Sequence, residues 1–181
     1  MHTPDLSAVA KWPNVPACYG WLSLDRRGRW RLQGQPVTHA GLIAFINRQY
    51  GCDAAGNWFL QNGPQRVFVS LAYTPWIWRL DADGSIVAHT GEVAGPAQAV
   101  HIDEEGNILL QTALGIGLLD DRDLPAFLAA CRNADGTPAA DETLMAAMDD
   151  SAGILWRSLP VVPIRSGEVA KRFAFQTDPQ P

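Results

Sequence analysis

Apolar and polar residues alternate along the chain in short runs, and one recurring turn divides the runs. Five segments share an Asp-x-x-Gly pattern: Asp25-Arg-Arg-Gly28, Asp53-Ala-Ala-Gly56, Asp81-Ala-Asp-Gly84, Asp103-Glu-Glu-Gly106 and Asp150-Ser-Ala-Gly153. Asp at the first position accepts hydrogen bonds from amides further along such a turn, and Gly at the fourth takes positive φ cheaply. An apolar or aromatic run follows each one, so the turn marks where a strand reverses or begins.

Trp21-Leu-Ser-Leu24 and Arg29-Trp-Arg-Leu-Gln33 flank the first turn and predict a hairpin. A helix follows, with Thr38 suited to the N-cap, Leu42, Ile43, Ile46 and Tyr50 on one face, and Gly51 at the C′ position. The Asp53 turn then leads into Trp58-Phe-Leu60. The same order returns in Val100-His-Ile102, the Asp103 turn, Asn107-Ile-Leu-Leu-Gln111 and a helix with Leu124, Phe127, Leu128 and Cys131 on its apolar stripe and Asp123 at its cap. Leu42-Ile-Ala-Phe45-Ile46 matches Leu124-Pro-Ala-Phe127-Leu128, and Gly56-Asn-Trp-Phe has a looser echo in Gly153-Ile-Leu-Trp.

The expected fold class is therefore α+β: two related small lobes, each an antiparallel hairpin-rich sheet with one packed helix, arising by internal duplication. Between the copies, Val67, Val69 and Leu71 line one strand face, and Trp76, Trp78 and Leu80 line another that continues past the Asp81 turn. The predicted layout is an N-terminal extension over 1–17, a first lobe over 18–91, and a second lobe over 92–175 with a helical insertion at 133–149. In that insertion Thr137-Pro138 opens an acidic helix through Leu144, Met145 and Met148. The polar, proline-containing tail 176–181 reads as disordered.

Composition narrows the function classes. A chain of 181 residues with 47% hydrophobic and 18% charged residues folds and buries a core. A net charge of −5, with no basic run beyond Arg26, Arg27, Arg29 and Arg31, argues against a nucleic-acid partner. No window approaches the ~20 apolar residues of a membrane span, and the N-terminus has no secretory-signal pattern, so a cytoplasmic protein without a membrane partner is expected. Cys18, Cys52 and Cys131 form no C-x-x-C pair, which points to reduced thiols rather than disulfides or a cysteine zinc site.

The stretch from Gly20 to Leu80 carries Gly28-Arg-Trp, Gly34-Gln-Pro, the Phe45 helix, Gly56-Asn-Trp-Phe and Gln61-Asn-Gly-Pro-Gln-Arg66. In these it resembles proteobacterial proteins grouped as an uncharacterised family of domains of unknown function. The resemblance covers about a third of the chain and implies a small bacterial α+β protein. Its motifs are turns and aromatic positions, so it carries over no functional residue.

Candidate chemistry is sparse. His101-x-Asp103 puts an imidazole and a carboxylate on one strand face, and with His89 on a neighbouring strand they form a possible three-ligand metal site for a metal-dependent hydrolase. Against this, Asp103 already serves its turn. A Cys-His hydrolase using His39 with Cys18 or Cys52 lacks a nucleophile motif. Gly115-Ile-Gly117 alone is too weak to cradle a phosphate, and Asp81-Ala-Asp83-Gly84 lacks the ligand spacing of a calcium loop.

Seven tryptophans are the oddest feature. Core packing explains most of them, but Trp76 and Trp78 share a face and follow Pro75 at a strand start or edge. Exposed, such a pair would grip a planar or sugar-like ligand or anchor an interface, with Asn62, Gln65 and Arg66 on the nearby loop supplying polar contacts. The leading expectation is a binding module, not an enzyme, with a small molecule or a protein as its partner. It uses these tryptophans or the groove between lobes, needs no cofactor, and has sheet edges compatible with a homodimer. The metal-dependent hydrolase is the alternative.

Overall fold

The computed structural model describes residues 12–150 and 152–181. The chain forms two compact units: the residues up to Tyr73 together with Ala174–Pro181, and Thr74–Phe173. The first holds β1 (Ala17–Leu24), β2 (Trp30–Leu32), β3 (Gln35–Pro36), α1 (Ala40–Gln49), β4 (Tyr50–Cys52), β5 (Trp58–Asn62) and β6 (Gln65–Leu71). The second opens on β7 (Trp76–Leu80) and β8 (Ile86–Ala88) and continues with β9 (Ala99–Ile102), β10 (Ile108–Thr112) and β11 (Gly115–Leu119). It is completed by α2 (Leu124–Ala130), β12 (Cys131–Arg132), α3 (Asp141–Ala146), β13 (Leu155–Trp156), β14 (Leu159–Pro163) and α4 (Ser166–Arg172). Among the described residues no helix is long and apolar enough to cross a membrane.

The two sheets share a strand order. The first runs β3-β2-β1-β6-β5-β4; the second contains the corresponding β11-β10-β9-β14-β13-β12, with β7 and β8 added along β11. In both, two antiparallel three-stranded halves meet at a parallel seam, β1 with β6 and β9 with β14, and a helix links the third strand to the fourth. The hairpins were legible because each is closed by local turn chemistry. The parallel seams join strands about 45 to 60 residues apart in sequence, where alternation carries no pairing information.

The turns work as their residues require. Asp25, Asp53, Asp81 and Asp103 each accept at the backbone carbonyl from the glycine amide three residues on, at 2.8 to 3.1 Å, and those glycines take φ of 74° to 85°. The Asp103 side chain also accepts from the Glu105 and Asn107 amides, both at 2.9 Å. The fifth segment, from Asp150, includes Ser151, outside the described residues. Asn133-Ala-Asp-Gly136 takes the corresponding place between β12 and β13, with the Gly136 amide on the Asn133 carbonyl at 2.9 Å. Asn substitutes for Asp there because either side chain tolerates a tight turn.

Several boundaries differ from expectation. The cap of α1 is His39, whose Nδ1 accepts from the Leu42 amide at 3.2 Å, and Gly51 lies within β4 instead of ending the helix. The β7–β8 hairpin belongs to the second unit, because Trp76, Ile77 and Trp78 pair with Gly117, Leu118 and Leu119 of β11. The dividing point is thus Tyr73, not residue 91. The tail expected to be disordered is bound to the first unit: the Gln176 amide donates to the Gly56 carbonyl at 2.9 Å, and the Leu71 amide donates to Thr177 at 2.7 Å. Phe175 and Pro179 are its buried anchors, an apolar contribution that a polar composition conceals.

Each sheet packs its own helix over aromatic residues. In the first unit Tyr50 lies between Trp30 and Trp58, with centroids 5.0 and 4.8 Å away, and the Trp30 indole donates to Asn47 of α1 at 2.7 Å. In the second, Phe127 of α2 stacks on Trp156 at 5.1 Å. Phe45 and Phe127, matched in sequence, are both buried beneath their helices.

Candidate functional site

Trp76 and Trp78 are core residues, 6% and 0% exposed, not a surface platform. Their rings stack at 5.8 Å and 11°. The Trp76 indole donates to the Leu114 carbonyl at 3.0 Å and that of Trp78 to Leu110 at 2.8 Å. Gly115 and Gly117 make room for them: a Cβ on Gly117 would collide with Trp78 Nε1, and one on Gly115 would lie 3.4 Å from the Trp76 ring. The Gly-x-Gly segment is therefore a slot for two indoles.

The polar residues expected to serve that pair, Asn62, Gln65 and Arg66, lie in the first unit. Gln65 is buried, and its side-chain amide donates to the carbonyls of Pro13 and Val15 at 2.7 and 2.6 Å, which pins the segment before β1. Asn62 donates to Gln65 at 3.2 Å. The Arg66 guanidinium sits 4.4 Å above the Phe59 ring. These residues brace a hairpin.

The metal reading does not hold. His89 follows β8 and His101 lies on β9, with β10, β11 and β7 between them. Four strand spacings of about 4.8 Å put them roughly 19 Å apart across the sheet, far beyond a shared ion. Among the described residues no three His, Cys, Asp or Glu side chains form a metal-binding group. Each candidate has other work. His89 Nδ1 accepts from the Ile77 amide at 3.3 Å, and burial lowers its pKa to about 3. His101, 4% exposed, packs edge-on against Phe173 at 5.7 Å, and burial, reinforced by the nearby Arg172 charge, lowers its pKa. Asp103 is fully buried, with Asn107 Nδ2 donating to it at 2.8 Å. Cys18 and Cys131 are buried, which raises the pKa of the first and pushes that of the second to about 11, while the exposed Cys52 thiol is raised by partial desolvation and the neighbouring Asp53 charge.

Arginine pairing is a signal that sequence reading missed. Arg29 and Arg31 converge on Asp25 at 2.8 and 3.3 Å. Arg79 grips Asp123 and Arg122 grips Asp120, each at 2.6 Å, and these bonds hold the turn that starts α2. Arg132 and Arg157 differ: among the described residues neither has a carboxylate partner.

These two arginines line one cleft of about 330 Å³ in the second unit. The end of α2 supplies Ala130; β12 and the Asn133 turn supply Arg132, Asn133, Ala134 and Gly136; β13 and its turn supply Leu155, Arg157 and Ser158. Arg132 and Leu155 are cross-strand partners, so they share a sheet face. Arg132 Nη1 donates to the carbonyls of Ala129 and Cys131 at 2.8 and 2.9 Å, which fixes its fork at the end of α2. The Arg157 guanidinium lies 4.2 Å above the Trp156 ring. The turn that presents it is unusual: Arg157 and Ser158 adopt φ of 49° and 67°, conformations that two-residue hairpins ordinarily give to Asn and Gly.

A second cavity, of about 320 Å³, adjoins the start of α4, with Glu104, Asp149, Asp150, Arg165, Glu168 and Arg172 on its walls. Here Glu104 already accepts from the Ser166 hydroxyl at 2.6 Å and the Ser166 amide at 2.8 Å, bonds that lower its pKa to about 2. Its mixed charges are partly spent on holding the helix.

Fold and cleft together define a class: a two-sheet α+β protein in which both sheets use one strand order and the second bears an open, arginine-lined cleft. The chain belongs to the DUF2944 family, described as "Protein of unknown function (DUF2946)", whose family model matches residues 1–180. No curated protein matches it. In fold it is similar to the crystal structure of a DUF1285 family protein from Silicibacter pomeroyi, with a TM-score of 0.55 at 14% identity over 89% of this chain and 88% of that one. A DUF1285 family protein from Shewanella baltica is matched over 59% of this chain and 88% of its own length, at 16% identity and a TM-score of 0.39. At these identities the Silicibacter likeness concerns the fold alone.

Proposed function

We propose that the protein is a ligand-binding module, descended from a duplicated half, whose binding site is the cleft beside β12 and β13 in the second unit. The observation that carries this reading is where the two units diverge. In the first, the turn at Asp53 leads within five residues into β5; in the second, the equivalent turn at Asn133 is followed by an insertion containing α3 before β13 begins. The cleft lies at that divergence, with its walls drawn from the turn before the insertion and the hairpin after it. Its volume suits a small molecule. Function resides in sites grafted onto a fold, not in the shared fold itself.

The reading is tested by titrating ¹⁵N-labelled protein with a panel of small carboxylates, phosphates, amino acids and sugars. Saturable shifts of the amides of Arg132, Asn133, Gly136, Leu155 and Ser158 are expected from at least one compound. Shifts confined to the first unit would refute it.

A further inference from the structure

We propose that this cleft is an oxyanion site, taking the carboxylate or phosphate group of a small molecule on Arg157 and Arg132, with the Ser158 hydroxyl as a further donor; the assignment rests on the cleft being the binding site. Charge is the first ground. The chain carries 19 acidic residues against 14 basic ones, yet the cleft lining contains two arginines and no carboxylate. Asp135 of the adjoining turn is turned to its own loop, accepting from the Thr137 amide and hydroxyl at 3.0 and 2.6 Å.

Availability is the second ground. Arg29, Arg31, Arg79 and Arg122 are matched to aspartates. Arg132 uses Nη1 on carbonyls, which leaves Nε and Nη2 as donors, and Arg157 is engaged by an aromatic face that consumes no N–H. A guanidinium held by stacking keeps its planar fork free for the paired oxygens of a carboxylate or phosphate, and ordering it beforehand lowers the entropic cost of binding.

Strain is the third. An L-residue with a side chain in the left-handed region costs roughly 1–2 kcal/mol, and both central residues of the 157–158 turn are there although glycine would relieve each. Strain retained at a ligand-facing turn is the pattern expected where a side chain has a task. The turn fixes Arg157 between Trp156 and Gly84, whose Cβ, if it had one, would lie 3.1 Å from Arg157 Nη2.

The test uses the full chain, with arginine Nε–Hε and backbone amide spectra followed during titration with inorganic phosphate and, separately, succinate; the two arms distinguish a phosphate from a carboxylate ligand. Saturable shifts at Arg157, Arg132 and the Asn133 turn are expected from at least one anion. Arg157→Ala and Arg132→Ala should each weaken binding about tenfold or more, while Arg48→Ala on α1 leaves it unchanged. Arg157→Lys, which keeps the charge and loses the fork, should fall between and covers the case in which truncation disturbs the hairpin. Titrations unaffected by either alanine variant, or equal shifts at Arg26 to Arg31, overturn the proposal. If an uncharged compound moves the cleft amides and neither anion does, the oxyanion assignment fails while the binding site stands. If nothing moves them, both fail.

Discussion

Gly117 shows how one missing methyl group organises a core. The Trp78 indole occupies the space its Cβ would fill, and the Trp76 carbonyl lies 2.8 Å from the same point. Gly117→Ala is therefore expected to cost about 3 kcal/mol, read as a lower denaturation midpoint together with a red shift of tryptophan emission; an unchanged midpoint would show that the slot has slack. Ser158 runs the other way. Ser158→Gly should raise stability by about 1 kcal/mol in the same measurement, and a neutral or negative effect would mean that the turn is not strained. Sequence reading found neither position's role. Gly115-Ile-Gly117 attracted notice only as a weak phosphate motif, because the indoles that need it lie about 40 residues earlier in the chain. Positive φ at Arg157 and Ser158 is invisible where no glycine marks it.

Among the elements, hairpins and helices were the legible part, since an Asp-x-x-Gly turn or an apolar helical stripe acts within a few residues of itself. What joins them was not. The seating of β7 against β11 makes Trp76 and Trp78 interior, and periodicity alone gives an interior strand and an exposed aromatic pair the same alternation. The same pairing spaces His89 from His101. It also fixes how β8 responds to acid. His89 accepts the Ile77 amide proton at Nδ1, so protonation there removes one of the two bonds by which it joins the end of β8 to β7, leaving its own amide on the Ile77 carbonyl. With a folded pKa of about 3, below the ordinary 6.5, the unfolded chain binds the proton first. Stability from this site is full above pH 6.5 and declines as pH falls from there toward 3. Chemical denaturation between pH 7 and 4 should show a steeper loss in the wild type than in His89→Asn, and parallel curves would remove His89 as the cause.

For the whole molecule, matched wording at Leu42 to Ile46 and Leu124 to Leu128 points to a hairpin and helix that recur, whereas the full β-β-β-α-β-β-β order and the strand order common to both sheets are visible only in the structure. The limits of the units are not legible in the sequence, because residues that complete the first unit lie at positions 174–181. Deleting Ala174–Pro181 removes the buried Phe175 and the amide bonds to Gly56 and Leu71, and is expected to destabilise the first unit by about 3 kcal/mol. Faster hydrogen exchange in β5 and β6 would report it; unchanged exchange there would show the segment to be ornamental. Gly56 is committed to that contact, since any Cβ on it would strike the Ala174 carbonyl.

That returning segment sets a timetable. A chain leaving the ribosome usually completes its leading domain while the rest is still being made. Here the sheet translated first must wait with the Phe175 site open while all of Thr74–Phe173 is synthesised, because its last pieces are encoded after its neighbour. During that interval the unfilled site is apolar surface that the nascent chain must carry uncovered.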